Sequence, residues 1–359
     1  MKALTRYCLL TLLLVSCSRL STDPVPVAFV VDSDVQSSIV TKASGATQVL
    51  SPIALKGNDG QPDLYVSAVA IPMGERLEDY VTKSAPYSST SGIEIDGTKH
   101  LGMAAYTYPS NSPAPAASAK TVYGTRTLDY SGTSGRWLPT ENLYYPNTQT
   151  GYIQFFAFAP YDAAVTSFTA DSEADPTITY TVPAAINSQR GLLVAEPVER
   201  RALPALNEVN VPLVFHHVLS GVSFQVEDGL TINSIVVSGV YDHGTCNLNT
   251  REWSALTKIG GSGTPTWTFT NPTVHLVDSW LRRLDDTLMM MPQVIPSGAT
   301  ISVSVQNVSA STTISYVLDI GGQLWEQGKL VHYMLAYDPD NLLVIRGTLP
   351  NFTEESLEL

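Results

Sequence analysis

Short runs in which apolar and polar residues alternate recur along this chain, and most are closed by proline, glycine or a polar turn. A period of two places successive side chains on opposite faces of an extended strand, one buried and one wet. Runs at 64–71, 152–159, 177–182 and 191–195 predict strands in the first half, with Pro160 and Pro183 stopping two of them. A second series begins near Val211: 213–218, 222–226, 232–240, 266–270, 287–291, 300–305, 312–320, 329–337 and 342–345. Ile301, Val303 and Val305 show the alternation cleanly, as in a sandwich of antiparallel sheets. Helical periodicity is weak throughout; the best stretch, 277–284, predicts two turns at most. Residues 109–120 are rich in Pro, Ala and Ser and predict a loop. The charged stretch 196–210, with two prolines and no strand pattern, reads as a bridge between two β domains, with a boundary near 205. No repeat of fixed short period is visible.

The first 42 residues follow other rules. Lys2 and Arg6 precede an apolar run from 7 to 15, too short for the roughly 20 residues a membrane-spanning helix needs. It has the size of an export-signal core. Leu14-Val15-Ser16-Cys17 then reads as a lipobox, in which a branched aliphatic and small residues lead to an acceptor cysteine. Residues 1–16 are therefore expected to be a signal peptide, and Cys17 the acylated N-terminus. Several acyl chains anchor stably where one binds only marginally. Residues 17–42 read as a lipidated linker or propeptide with a strand at 27–31, and Lys42-Ala43-Ser44-Gly45 as an exposed segment. The domains expected after it are 43–205 and 206–359. No later stretch is long and apolar enough to cross a membrane.

Composition narrows the function. Of 359 residues, 33 are acidic and 20 basic. Removing residues 1–16 takes Lys2 and Arg6 away and leaves 18 basic groups, a net charge of -15. Such a chain lacks the basic face a nucleic acid requires. Cys8 leaves with the signal and Cys17 is acylated, so Cys246 alone remains and no internal disulfide can form. Apolar burial must hold the fold, which 44% hydrophobic content at this length allows.

Candidate chemistry is sparse. There is no G-x-S-x-G elbow, no H-E-x-x-H and no P-loop. His216 and His217 are adjacent, and strand neighbours diverge; one is expected buried and hydrogen-bonded, the other exposed. His243 and Cys246 supply two ligand types where zinc needs three or four. Asp285-Asp286 reads as a solvated turn. Asp171, Glu173 and Asp175 lack the glycine and terminal glutamate of a calcium loop. No catalytic residue, metal or cofactor is expected. Trp137 and Tyr144-Tyr145 lie in a Gly/Ser/Pro-rich stretch, where exposed rings could stack on sugar.

An ordered set of segments resembles the fimbrillin family of Gram-negative anaerobes, the fimbrial subunits and their Mfa-like relatives. After the lipobox come Leu64-Tyr65-Val66, then Phe155-Phe156-Ala157-Phe158-Ala159-Pro160-Tyr161, then Gly191-Leu192-Leu193-Val194-Ala195. Pro212 to Ser220 follows, then Ile232-Asn233-Ser234-Ile235 leading to Gly239-Val240-Tyr241, and the turn from Gly244 to Trp253. Met290-Met291-Pro292-Gln293 and Trp325-Glu326-Gln327-Gly328-Lys329 close the set. The resemblance implies an all-β chain of two tandem transthyretin-like β-sandwich domains after the lipoprotein signal and linker. It also implies an outer-membrane lipoprotein at the cell surface that joins a fimbrium with other subunits by donated strands. A trypsin-like cut would remove an N-terminal segment, and Lys42 fits by position. A cut at Arg19 would only detach the lipid. An uncut, lipid-retaining anchor or accessory subunit is the other reading. Leu342, Leu343, Val344 and Ile345, with Leu349 beyond, have the apolar pattern of a donor strand; the last strand of the chain's own domain is the alternative. The rival function is a surface lipoprotein that never polymerises and binds a host or bacterial glycan or protein.

Overall fold

A computed structural model describes residues 26–31, 47–57, 61–72, 100–109, 121–131, 133–134, 136–146, 151–161, 166–202, 210–258, 266–270, 272, 274–278, 281–284, 287–307, 312–340 and 342. The described chain is nearly all strand. The elements run β1 (Ala28–Val31), β2 (Thr47–Leu55), β3 (Leu64–Pro72), β4 (His100–Tyr108), β5 (Thr121–Ser131), β6 (Arg136–Pro139), β7 (Tyr152–Ala159), β8 (Thr166–Thr169) and β9 (Thr177–Thr181). A 3-10 turn at Ile186–Ser188 precedes β10 (Leu193–Ala195), β11 (Arg201–Ala202), β12 (Asn210–Leu213), β13 (Phe215–His217), β14 (Ser220–Glu227), β15 (Ile232–Ser238), β16 (His243–Asn247) and β17 (Trp253–Thr257). Then come β18 (Thr266–Thr270), β19 (Val274–Asp278), β20 (Leu281–Leu284), β21 (Leu288–Met290), β22 (Gln293–Val294), β23 (Thr300–Asn307), β24 (Thr312–Asp319), β25 (Leu324–Trp325) and β26 (Lys329–Ala336).

The first sheet is ordered β12-β1-β6-β5-β4-β7-β10-β13, with β11 also on β7. Its two ends, β12 and β13, are consecutive in sequence, separated only by Val214. Both faces of its central strands are buried. On β7, Phe156 and Phe158 enter the large core while Ile153, Phe155, Ala157 and Ala159 enter a second one. On β4, Ala104, Tyr106 and Tyr108 face the large core, and Leu101, Met103 and Ala105 face the second. That two-sided burial is why 152–159 reads as a continuous apolar run rather than an alternating one.

A second sheet is ordered β19-β20-β14-β26-β3-β2, with β21 also on β14. Here β26 lies parallel to β14 and antiparallel to β3. A third sheet is ordered β18-β15-β23-β24, a fourth β17-β16-β9-β8, and β22 pairs with β25. The large core draws on the first four sheets, including Phe158, Val66, Phe224, Trp267, Ile301 and Tyr180. Pairings cross residue 205: β3 pairs with β26 and carries β2, and β9 pairs with β16 and carries β8.

Of the stretch 277–284, expected to hold a helical turn, residues 277–278 and 281–284 instead belong to the antiparallel pair β19 and β20. That pair extends β14, and Leu284 is buried in the large core. Tertiary pairing overrides a weak helical pattern in a segment too short to be helical alone.

Candidate functional site

The residues of the first sheet come from 100–217 with one exception, β1. Four residues of this early segment sit between β6 and β12 and complete the sheet. β1 runs parallel to β12, with Ala28 to Val31 opposite Asn210 to Leu213, and antiparallel to β6, with Phe29 opposite Trp137. A bridge from Pro26 to Tyr144 and a hydrogen bond donated by the Val27 amide to the Leu143 carbonyl (2.9 Å) lengthen the contact. Pro212 faces Val30 from an end strand, a position where a residue without N–H is tolerated.

Alternation sets which residues fill the groove. Val27 and Phe29 point into the second core, where Trp137, Leu143, Tyr145, Val211 and Leu213 also lie. The Phe29 ring is fully buried and meets Phe155 edge to face, centroids 5.3 Å apart, while Tyr145 contacts Phe155 from a centroid distance of 6.2 Å. Burying one such side chain stabilises by about 1.5–3 kcal/mol. The slot is therefore strand-shaped, apolar inside, and flanked by the main chains of β6 and β12.

The residues singled out in the sequence scatter. Cys17, Lys42, Leu343, Val344, Ile345 and Leu349 lie outside the described residues, as do Asp285 and Asp286. Leu342 is described: it is buried, with helical backbone, six residues beyond the end of β26. Trp137 and Tyr145 are not exposed sugar platforms. Both are buried in the second core, because Trp137 occupies the inward position of β6 and Tyr145 packs on Phe155. Only Tyr144 is exposed among the three. The strand expected at 27–31 is present as β1, but nothing in the sequence shows that its Phe29 fills a groove lined by Trp137.

The histidines and acids do not converge. His216 Nε2 lies 2.9 Å from Glu196 Oε1 at the surface. His217 Nδ1 is buried without a partner, contrary to the expected hydrogen bond. Burial, with His216 alongside, pushes the His217 imidazole down to about 4. His243 Nδ1 lies 2.9 Å from Thr181 Oγ1, whereas Cys246 is buried in the large core and burial pushes its thiol up to about 12. Asp171 Oδ1 accepts from the Glu173 amide, and Asp175 Oδ2 accepts from Asn249 Nδ2. Among the described residues no group of His, Cys, Asp or Glu is placed to hold a metal, and no helix is long and apolar enough to cross a membrane.

A family model described as fimbrillin-like matches residues 94–351. No curated protein matches the sequence. Solved structures similar to this chain include two described as cell adhesion proteins. The one from Bacteroides uniformis is 15% identical with a TM-score of 0.45, covering 68% of this chain and 88% of its own. The one from Bacteroides ovatus is 15% identical with a TM-score of 0.44, covering 72% and 91%. The fimbrial anchor protein Mfa2 from Porphyromonas gingivalis is 10% identical with a TM-score of 0.32, covering 68% and 82%.

Proposed function

The chain belongs to the fimbrillin-like family, and on that premise we propose that it is a structural subunit of a cell-surface fimbria whose first sheet exchanges strands between neighbours. The observation that carries this reading is the origin of β1. Among the described residues every other strand of that sheet comes from residue 100 onward, yet the slot between β6 and β12 is filled by residues 28–31, which precede Lys42. A cut at Lys42 separates β1 from the rest of the chain. Its departure exposes an apolar groove lined by Trp137, Phe155, Val211 and Leu213.

A strand from another subunit replaces β1 by main-chain pairing to both flanks and by alternate apolar side chains in the pockets. Leu343 and Ile345, two apart as Val27 and Phe29 are, have the spacing to fill them, with Leu349 beyond. In this reading the precursor is delivered as a lipoprotein acylated on Cys17 and held at the outer membrane until cutting.

The test is assembly in vitro. Purified precursor treated with trypsin is expected to form SDS-resistant ladders, with a new N-terminus at Ala43. Lys42→Ala protein and a chain ending at Asp340 are each expected to stay monomeric. Ladders formed by protein that still carries residues 26–31 would refute the exchange.

A further inference from the structure

We propose that a groove between β18 and the turn at 183–187 binds a neutral glycan chain. This site is independent of strand exchange.

The third sheet alternates along its strands apart from a bulge between Ile232 and Ser234. Trp267, Phe269, Ile235, Val237, Ile301 and Val303 are buried beneath it. Of the fifteen outward positions on its four strands, ten are Ser or Thr: three on β18, two on β15, three on β23 and two on β24. The remainder are Asn233, Val236, Val317, Gln306 and Asp319, so a single charge stands at one corner. Protein surfaces ordinarily carry charge at about a quarter to a third of positions. Register aligns the hydroxyls in rows, with Ser238 between Thr266 and Thr300, and the Ser238 and Thr300 oxygens 3.0 Å apart.

Along the β18 rim this face drops into a groove of about 420 Å³. That volume falls in the range of small-molecule sites, roughly 300–1,000 Å³. Its polar lining is Thr266, Thr268, Thr270 and Asn187, and its apolar lining includes Ile186, Phe269 and Pro272. The far wall is fixed in place. The Pro183 carbonyl accepts hydrogen bonds from Trp267 Nε1 and Gln189 Nε2, each 3.0 Å. Gln189 is fully buried, and its Oε1 accepts from the Met289 amide at 2.7 Å. A preformed wall spares the ligand an ordering cost.

The chemistry of the lining selects the ligand. Hydroxyls and an amide both donate and accept, which matches the hydroxyls of a sugar, and the apolar groups match its C–H face. Among the described lining residues none is charged, Arg190 donates to the Asn187 carbonyl (3.1 Å) from just beyond them, and the chain's net charge of -13 disfavours an anionic polymer.

Affinity gel electrophoresis of the full chain tests this with dextran, mannan and xylan as neutral probes, and alginate and a peptide of residues 342–359 as the others. At least one neutral polysaccharide is expected to retard the protein. An Asn187→Ala, Thr268→Lys variant is expected to bind it about tenfold more weakly, as losing one or two hydrogen bonds implies, with an unchanged melting temperature. Absence of retardation by all three neutral probes overturns the proposal. So does equal retardation of the variant, or binding confined to alginate or the peptide.

Discussion

In the first sheet the Phe29 side chain is fully buried, and His217, partly buried, keeps a buried Nδ1 without a partner. The Phe29 ring is held by Phe155 and lies opposite Trp137, so Phe29→Ala should cost about 3–5 kcal/mol of β1 docking. Hydrogen exchange locates that loss: amides 27–31 should exchange faster while those of β26 stay protected. Equal acceleration in both would mean that β1 cannot open alone. His217 acts through pH. Its folded value of about 4 lies below the ordinary 6.5, so the unfolded chain binds the extra proton. Stability from this group is complete above 6.5 and falls as pH drops toward 4, by at most about 3 kcal/mol. Urea midpoints for His217→Gln should change less than those of the parent between pH 7 and 4.5. Parallel curves would remove His217 as the cause. Neither role is legible in the sequence, because residue type does not say which face of a three- or four-residue strand is covered. Trp137 shows the same blindness: its Gly/Ser/Pro neighbours suggested exposure, while the partner that buries it, Phe29, lies more than a hundred positions away.

Strands rich in Val, Ile, Thr and aromatics were visible along the chain; β7 and β18 match the predicted 152–159 and 266–270 residue for residue. The strands that escaped have another composition. β4 contains Gly102, Met103, Ala104 and Ala105, which have low strand propensity and pack only because β5 and β7 flank them. Gly102 pairs with Phe158, and a Cβ built there would lie 2.2 Å from the Phe158 ring. Propensity favours Gly102→Ala by about 0.5–1 kcal/mol. Packing predicts the opposite, a loss of about 1–3 kcal/mol, since ring and sheet must both shift. Denaturant unfolding decides the sign, and a double-mutant cycle with Phe158→Leu should recover much of the loss. A stabilised Gly102→Ala protein would mean that Phe158 moves aside freely.

At the scale of the whole molecule the sequence said least, because sheet order depends on pairings between distant segments. Period-two alternation announces a strand and its buried face but not its neighbour. Thus β3 ends up against β26, more than 250 residues later, and β1 against β12. β1 lies between β6 and β12, and the proposed strand exchange takes that position as its slot. A slot that accepts a foreign strand must also accept its own strand back. Protein cut at Lys42 should therefore bind a synthetic peptide of residues 24–34 and gain stability by linkage, about 2.7 kcal/mol at a hundredfold excess over Kd. The same peptide carrying Phe29→Glu would place a carboxylate against Trp137 and Phe155, where burying an unpaired charge is prohibitive. Thermal melts of the cut protein should rise saturably with the first peptide and remain flat with the second. If both peptides act alike, recognition resides in the main chain alone and the pockets do not select the donor. If neither acts, β1 belongs permanently to its sheet, and assembly must use another edge.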